Sequence, residues 1–125
     1  MKFKFQYIFF LLLFFVTMCS RNTTVQIKTE KNITSARDAL ETARYYMKLS
    51  KFSKAIKFYN IVLTDYKDQK EEAAWALYEK AHCYYQLKKY TIALQTFKRV
   101  GIVYPEQYGP VKLSQKMIKK IEFSK

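Results

Sequence analysis

The sequence predicts an all-α protein built from paired helices, and three observations support that prediction. The 125 residues include only two glycines and two prolines, so few residues interrupt a helix. From Thr34 onward, apolar residues recur every three or four positions, which is the spacing of one helix face. The first pair of predicted helices is repeated in the second pair, offset by 38 residues. Together these features predict helical hairpins that stack on one another.

Short turns separate the predicted helices. The helices are expected to cover, in order, residues 34 or 35 to 49, 53–66, 70–87, 91–104, and 109 or 110 to 123. Thr34 or Ser35, Ser53 and Thr91 stand at three of the predicted N-termini. A hydroxyl at each position is expected to accept an otherwise unpaired N–H of the first turn.

The repeat rests on seven matched positions of similar chemistry. The pairs are Ala43 and Ala81, Tyr46 and Tyr84, Phe52 and Tyr90, Ala55 and Ala93, Tyr59 and Phe97, Val62 and Val100, and Tyr66 and Tyr104. The alanines are small enough to let antiparallel helices approach closely, and the aromatic pair Tyr59 and Phe97 is expected to fill the space between layers.

This pattern resembles the tetratricopeptide repeat. In residues 74–107 the family's signature is matched by Leu77, Ala81, Tyr84, Tyr90, Ala93, Phe97, Val100 and Pro105. The first repeat, residues 36–69, departs from the signature at Ala39 and Lys67, and the second departs from it at Lys80. The resemblance implies about two and a half repeats, with the fifth helix as a C-terminal cap, in a domain spanning 34–125.

The first 18 residues read as a lipoprotein signal peptide. Lys2 and Lys4 precede the apolar run 7–16, which is too short to span a bilayer as a helix. Cys19 ends the signal and is expected to carry the lipid, although Met18 departs from the small residue favoured before such a cysteine. The alternatives are an uncleaved anchor, or an ordinary signal with Cys19 incidental. Residues 19–33 are polar and are interpreted as a flexible tether.

Charge and export narrow the class of partner. The chain carries 23 basic and 10 acidic residues, which favours acidic partners, although such an excess is also typical of a solvated surface. Export argues against nucleic acid, so protein and membrane are the expected partners.

The tetratricopeptide resemblance implies a concave groove lined by the first helix of each pair. The positions carried over are Arg37, Leu40, Arg44, Met47, Trp75, Tyr78, His82, Tyr85, Lys112, Lys116 and Lys119. An aromatic centre between cationic ends suits an extended peptide with aromatic side chains and a carboxylate. The alternative is that Trp75 and the tyrosines pack against the first or fifth helix.

The fifth helix has a wide apolar face. Val111 and Ile118 widen the face formed by Leu113, Met117 and Ile121. A partner protein docked there would explain the width, and coverage of the last repeat is the alternative.

The sequence gives little reason to expect an enzyme. His82 and Cys83 are adjacent, so on a helix they point about 100° apart and do not form a nucleophile–base pair. Cys83 is interpreted as a small core residue. We expect no metal site, no cofactor and no catalysis.

Residues 65–106 are similar to the BamD family, the lipoproteins of the outer-membrane β-barrel assembly machine. The resemblance implies an outer-membrane, periplasm-facing protein whose partners are the barrel-forming assembly protein and unfolded outer-membrane protein segments. This chain has fewer repeats than that family, so the family's C-terminal docking surface is not carried over. Competing hypotheses are an envelope adaptor for cell-wall or division proteins and a surface-displayed lipoprotein.

Overall fold

A computed structural model describes residues 32–124. Five α-helices follow one another within that range: α1 Ala36–Lys48, α2 Phe52–Asp65, α3 Lys70–Gln86, α4 Tyr90–Val103 and α5 Tyr108–Phe123. The all-α class is therefore confirmed, with two helical hairpins and a fifth helix. The predicted signal peptide, Cys19 and the tether up to residue 31 lie outside the described residues.

Helix α1 begins where the sequence places a cap. The Oγ atom of Ser35 accepts a hydrogen bond from the backbone N–H of Asp38 at 3.1 Å. Asp38 also puts a negative charge in the first turn, next to the positive end of the helix dipole. Of the two cap candidates at this end, Ser35 is the N-cap residue.

The predicted caps at Ser53 and Thr91 are wrong. Both hairpin turns are Schellman motifs, in which the residue after the C-cap takes the left-handed conformation. In this protein the residue that follows it is the N-cap of the next helix. In the first turn the left-handed residue is Ser50, with φ 56°, and the N–H of Lys51 bonds to the carbonyl of Tyr46 at 2.9 Å. Lys51 is then the N-cap of α2 without a side-chain cap bond, so Ser53 falls inside the first turn.

The second hairpin repeats this turn. Lys88 has φ 59°, and the N–H of Lys89 bonds to the carbonyl of Tyr84 at 2.9 Å. Lys89 is the N-cap of α4, so Thr91 lies within that helix. The same backbone turn therefore occurs at both places where the sequence repeats itself.

The helices pack as successive antiparallel neighbours. Contacts join α1 to α2, α2 to α3, α3 to α4 and α4 to α5, and further contacts join α1 to α3 and α3 to α5. Because every connection is only three or four residues long, α1, α3 and α5 run in one direction and α2 and α4 in the other. This is a tetratricopeptide-like arrangement of helical hairpins.

Eight of the fourteen residues matched in the repeat are fully buried in the core. Ala43, Ala55, Ala81 and Ala93 have no exposed surface, and neither do Tyr59, Phe97, Val62 and Val100. Alanine at each crossing allows the helices of a hairpin to approach closely. Lys80, which departs from the repeat signature, is half-buried, and its pKa is lowered by burial and by the neighbouring charge of Arg99.

Across residues 32–124, none of the helices has the length and apolar character needed to cross a membrane.

Candidate peptide-binding site

An open cavity of about 350 Å³ lies between the first helices of the two hairpins. It is lined by Arg37, Leu40, Glu41 and Arg44 from α1 and by Glu71, Glu72 and Trp75 from α3. Four of these residues, Arg37, Leu40, Arg44 and Trp75, belong to the groove predicted from the sequence. Leu40 is only 5% exposed and supplies a buried apolar surface there.

The groove predicted from the sequence did not include the three glutamates of this cavity. The sequence prediction placed an aromatic centre between cationic ends, but Glu41, Glu71 and Glu72 add negative charge to the same lining. They were missed because the groove positions were carried over at fixed repeat spacing, which passes over intervening residues. A ligand in this cavity meets an apolar surface bordered by both signs of charge.

One side of the cavity is fixed by an ion pair between the two hairpins. The Nε atom of Arg44 donates to both carboxylate oxygens of Glu79 at 2.9 and 3.0 Å, and its Nη2 atom donates to one of them at 2.7 Å. The pKa of Arg44 is raised, chiefly by this hydrogen bond. Arg44 is therefore held by the protein itself.

Glu79 also accepts a hydrogen bond from the buried core. The hydroxyl of Tyr59 donates to the Oε2 atom of Glu79 at 2.7 Å, and it also lies 3.3 Å from the sulfur of Met47. Burial and the charge of Glu79 raise the pKa of Tyr59, so the phenol stays protonated and donates. Met47, predicted to line the groove, contacts the core through this hydroxyl and is partly buried.

Trp75 lines the cavity and also supports α5. A Cβ atom placed on Gly109 would lie 3.2 Å from the Cζ2 atom of the Trp75 ring. Glycine therefore allows the first turn of α5 to rest close against the indole. Trp75 has both of the roles weighed for it in the sequence, since it lines the cavity and packs against the fifth helix.

Tyr78, His82 and Tyr85 continue from Trp75 as a ladder of rings along α3. Ring centroids lie 6.0 Å apart between Trp75 and Tyr78, 6.3 Å between Tyr78 and His82, and 6.1 Å between His82 and Tyr85. The ring of Tyr78 also lies 5.7 Å from that of buried Phe97. The tyrosines of this ladder pack partly against the core formed with α4 and α5.

His82 is half-buried within the ladder. Its Nδ1 atom is buried and has no hydrogen-bond partner among the described residues. Burial lowers the pKa of His82, and the positive charge of Lys120 on α5 lowers it further. The ammonium of Lys120 lies 5.3 Å from the centroid of the Tyr85 ring, so α5 closes over this end of the ladder.

The remaining predicted groove residues lie on α5. Lys112, Lys116 and Lys119 are exposed, and the ammonium of Lys112 lies 5.3 Å from the centroid of the Tyr108 ring. None of the three lines the cavity between α1 and α3. Their participation in one continuous groove stays a prediction.

Val111 and Ile118, predicted to dock a partner, are partly buried. Val111 packs against the cluster containing Leu77 and Val100, and Ile118 packs against the cluster containing Phe97 and Ile121. Much of the apolar face of α5 thus covers the last hairpin, as the alternative interpretation expected. A docking role is left to the exposed part of these side chains.

The remaining residues of chemical interest are Cys83 and the residue types that bind metal ions. Cys83 has no exposed surface, and burial raises the pKa of its thiol to about 12, which agrees with a small core residue. Within residues 32–124 no three His, Cys, Asp or Glu side chains are grouped so that they could hold a metal ion.

Comparisons with protein-family models, with curated proteins and with solved structures give no match to this chain.

Proposed function

We propose that the protein is a lipid-anchored protein-binding module of the bacterial outer membrane, acting as an accessory lipoprotein of the β-barrel assembly machine. The observation that carries the proposal is the cavity between the first helices of the two hairpins, where Arg37, Leu40, Arg44 and Trp75 converge. Cys19 supplies the lipid attachment, and the partners are the barrel-forming assembly protein and unfolded outer-membrane protein segments.

The cavity suits an extended peptide that places an apolar or aromatic side chain against Leu40 and Trp75. Extended peptides are recognised by pockets that take individual side chains, with polar groups around them to fix register. Arg37 is exposed and offers a cation at one edge, whereas Glu71 and Glu72 offer anions on the opposite helix. A segment with an aromatic residue flanked by charges of both signs matches this lining.

The test is affinity capture of the full-length protein from gently solubilised membranes, using a C-terminal tag. We expect the wild-type protein to recover an outer-membrane β-barrel protein with periplasmic domains, and Arg37→Glu to recover less than a tenth as much. Lys57→Glu is the matched control, because Lys57 is exposed on α2 and makes the same charge change away from the cavity.

Two results would count against the proposal. Recovery of cell-wall or division proteins without a barrel protein supports the adaptor hypothesis instead. Equal recovery by the wild type and by Arg37→Glu, with a barrel protein present, places the contact outside the cavity.

Trp75 offers an independent readout as the only tryptophan of the chain, since a bound peptide changes the surroundings of its indole and hence its fluorescence emission.

A further inference from the structure

Charge is segregated between the two ends of the helix stack. We define the turn end as the hairpin turns 49–51 and 87–89 with the C-terminus of α5, because α1, α3 and α5 all finish there. The opposite loop end contains the connections 66–69 and 104–107 and the N-terminus of α1. Ring and ion contacts agree with this arrangement, since Tyr85 lies beside both Tyr90 and Lys120.

The turn end is strongly basic. Its turns and the four helical residues on either side of them, which make about one helical turn, carry six lysines and one acid. They are Lys48, Lys51, Lys54, Lys88, Lys89, Lys120 and Glu122. Glu122 is engaged by Lys98, whose ammonium lies 3.1 Å from its carboxylate. The same window at the loop end contains six acids, Asp38, Asp65, Asp68, Glu71, Glu72 and Glu106, and three bases, Arg37, Lys67 and Lys70.

Exposed apolar side chains lie among the lysines of the turn end. Leu49 is 45% exposed, Tyr90 46%, Ile92 44% and Phe123 89%. Phe123 is the last residue of α5 and Tyr90 the first of α4, so both project from helix ends. The loop end also exposes apolar residues, including Ile102 and Tyr108, and Lys112 lies beside the Tyr108 ring, but the charges of that end are mostly acidic. The turn end therefore combines a net excess of lysines with exposed apolar side chains.

From this combination we infer that the turn end docks onto an anionic lipid bilayer. Lysines attract the surface charge of anionic lipids, while exposed leucine and aromatic side chains enter the boundary between head groups and acyl chains. A polypeptide made only of acidic residues would use the lysines alone and would leave Leu49 and Phe123 in water. A bilayer accommodates both kinds of side chain.

The inference rests on the proposed function because the nearest bilayer is the one that the Cys19 anchor enters. Helix α1 is 13 residues long, or about 20 Å, and its N-terminus lies at the loop end. Ile33 packs against the core, so only the residues between Cys19 and Asn32 can act as a tether. If extended they would reach about 40 Å, which is enough to let the domain turn its basic end toward the membrane. In this orientation the long axes of the helices stand upright on the bilayer, and the cavity between α1 and α3 stays open at the side.

The test compares lysine accessibility on two kinds of vesicle. The full-length protein is reconstituted into phosphatidylcholine vesicles with and without phosphatidylglycerol, treated with a water-soluble amine-acylating reagent, and analysed by mass spectrometry. We expect Lys88 and Lys48 to react at least about fivefold more slowly on the anionic vesicles, because each lysine held at such a surface strengthens association about fivefold. Lys67 and Lys70 at the loop end are expected to react equally on both.

A matched pair of variants isolates the turn end. Lys51→Glu with Lys89→Glu should abolish the protection of Lys88 and Lys48, whereas Lys67→Glu with Lys70→Glu should retain it. Each pair makes the same change in net charge, and each places acids at or near helix N-termini, where they favour the helix.

Two results would overturn the inference, and a third would bear only on the lipid anchor. Equal reaction of Lys88 on neutral and anionic vesicles overturns it. Two further observations, made together, also overturn it. Soluble polyglutamate would protect Lys88 as well as anionic vesicles do, and the variant Leu49→Ser with Phe123→Ser would keep full protection on those vesicles. The surface would then be assigned to an acidic polypeptide. Failure of the protein to float with neutral vesicles counts against the lipid anchor alone, and the Lys88 comparison on anionic vesicles then still decides the inference.

Discussion

Arg44 on α1 and Glu79 on α3 form a bidentate ion pair that ties the first helices of the two hairpins together. Three hydrogen bonds of 2.7 to 3.0 Å join the guanidinium to the carboxylate, whose side chain is only 13% exposed. The same carboxylate accepts the hydroxyl proton of Tyr59, which has no exposed surface. This pair sets the spacing of α1 and α3 beside the proposed peptide site.

Loss of Glu79 is therefore expected to destabilise the fold. Glu79→Ala leaves the buried Tyr59 hydroxyl without its carboxylate acceptor, at a cost of about 2 kcal/mol. For a domain of this size that lowers Tm by roughly 10 °C in thermal denaturation. Glu122→Ala is the control, because the Lys98–Glu122 pair is about half exposed on both sides and is expected to contribute less than about 0.5 kcal/mol. Similar losses in the two variants would contradict this account.

Acidification is expected to destabilise the protein through His82. Because burial and Lys120 lower the pKa of His82 below its usual 6.5, the unfolded state takes up a proton more readily than the folded state. The stability contributed by neutral His82 is thus complete above pH 6.5 and is lost as the pH falls through the lower folded-state pKa. Tm measured from about pH 7.5 to about pH 5.5 should fall in the wild type.

His82→Gln supplies the control for this pH dependence. His82 is the only histidine of the chain, so the variant should show a flatter profile across the same range. A wild-type Tm that stays constant or rises on acidification would show that the surroundings of His82 do not disfavour its charge.

The left-handed residue of the hairpin turn gives a prediction about backbone strain. Ser50 has φ 56°, a conformation that costs a side-chain-bearing residue roughly 1 kcal/mol or more relative to glycine. Ser50→Gly should stabilise the protein by about 0.5 kcal/mol, since the gain is partly offset by the larger entropy of the unfolded chain. Lys57→Gly is the control, because Lys57 is exposed within α2 and has no left-handed backbone, so glycine there is expected to cost about 0.5–1 kcal/mol. Denaturant titration checks whether the two changes have opposite signs.

Much of the fold could be predicted from the sequence, because small and aromatic residues recur at helical spacing. Ala43, Ala81, Tyr59 and Phe97 all lie in the core, as their repetition predicted. The starts of α2 and α4 could not be predicted from their hydroxyl residues. Each Schellman turn allows the next helix to begin two residues after the left-handed position, so Lys51 takes the N-cap position expected of Ser53.

The candidate site was predictable only in part, for a geometric reason. The tetratricopeptide resemblance placed Arg37 and Trp75 in one groove, and both line the cavity between α1 and α3. The resemblance did not predict that Arg44 would be engaged by Glu79 or that Glu71 would join the lining. Such pairings depend on how neighbouring helices are set against each other, and repeat spacing within one helix does not encode that.

The proposed anchor gives a prediction about cell fractionation. Cys19→Ser removes the thiol that would be acylated, so the protein should move from the membrane fraction to the soluble fraction or accumulate as an unprocessed precursor. Cys83→Ser is the control, because Cys83 is buried in the fold and lies far along the chain from the proposed lipidation site. Intact mass spectrometry of the membrane-extracted wild type should show loss of residues 1–18 and addition of lipid. A non-lipidated wild-type chain in the membrane would contradict the anchor.

Photo-crosslinking in living cells at the cavity between α1 and α3 tests directly whether this cavity binds the proposed partners. A photoreactive phenylalanine derivative at position 37 lies in the cavity lining, and the same derivative at position 57 lies on the exposed surface of α2. Illumination is expected to attach position 37, but not position 57, to the outer-membrane β-barrel assembly protein or to an unfolded outer-membrane protein segment. Absence of these adducts at position 37, or equal adducts at both positions, would contradict binding at this cavity.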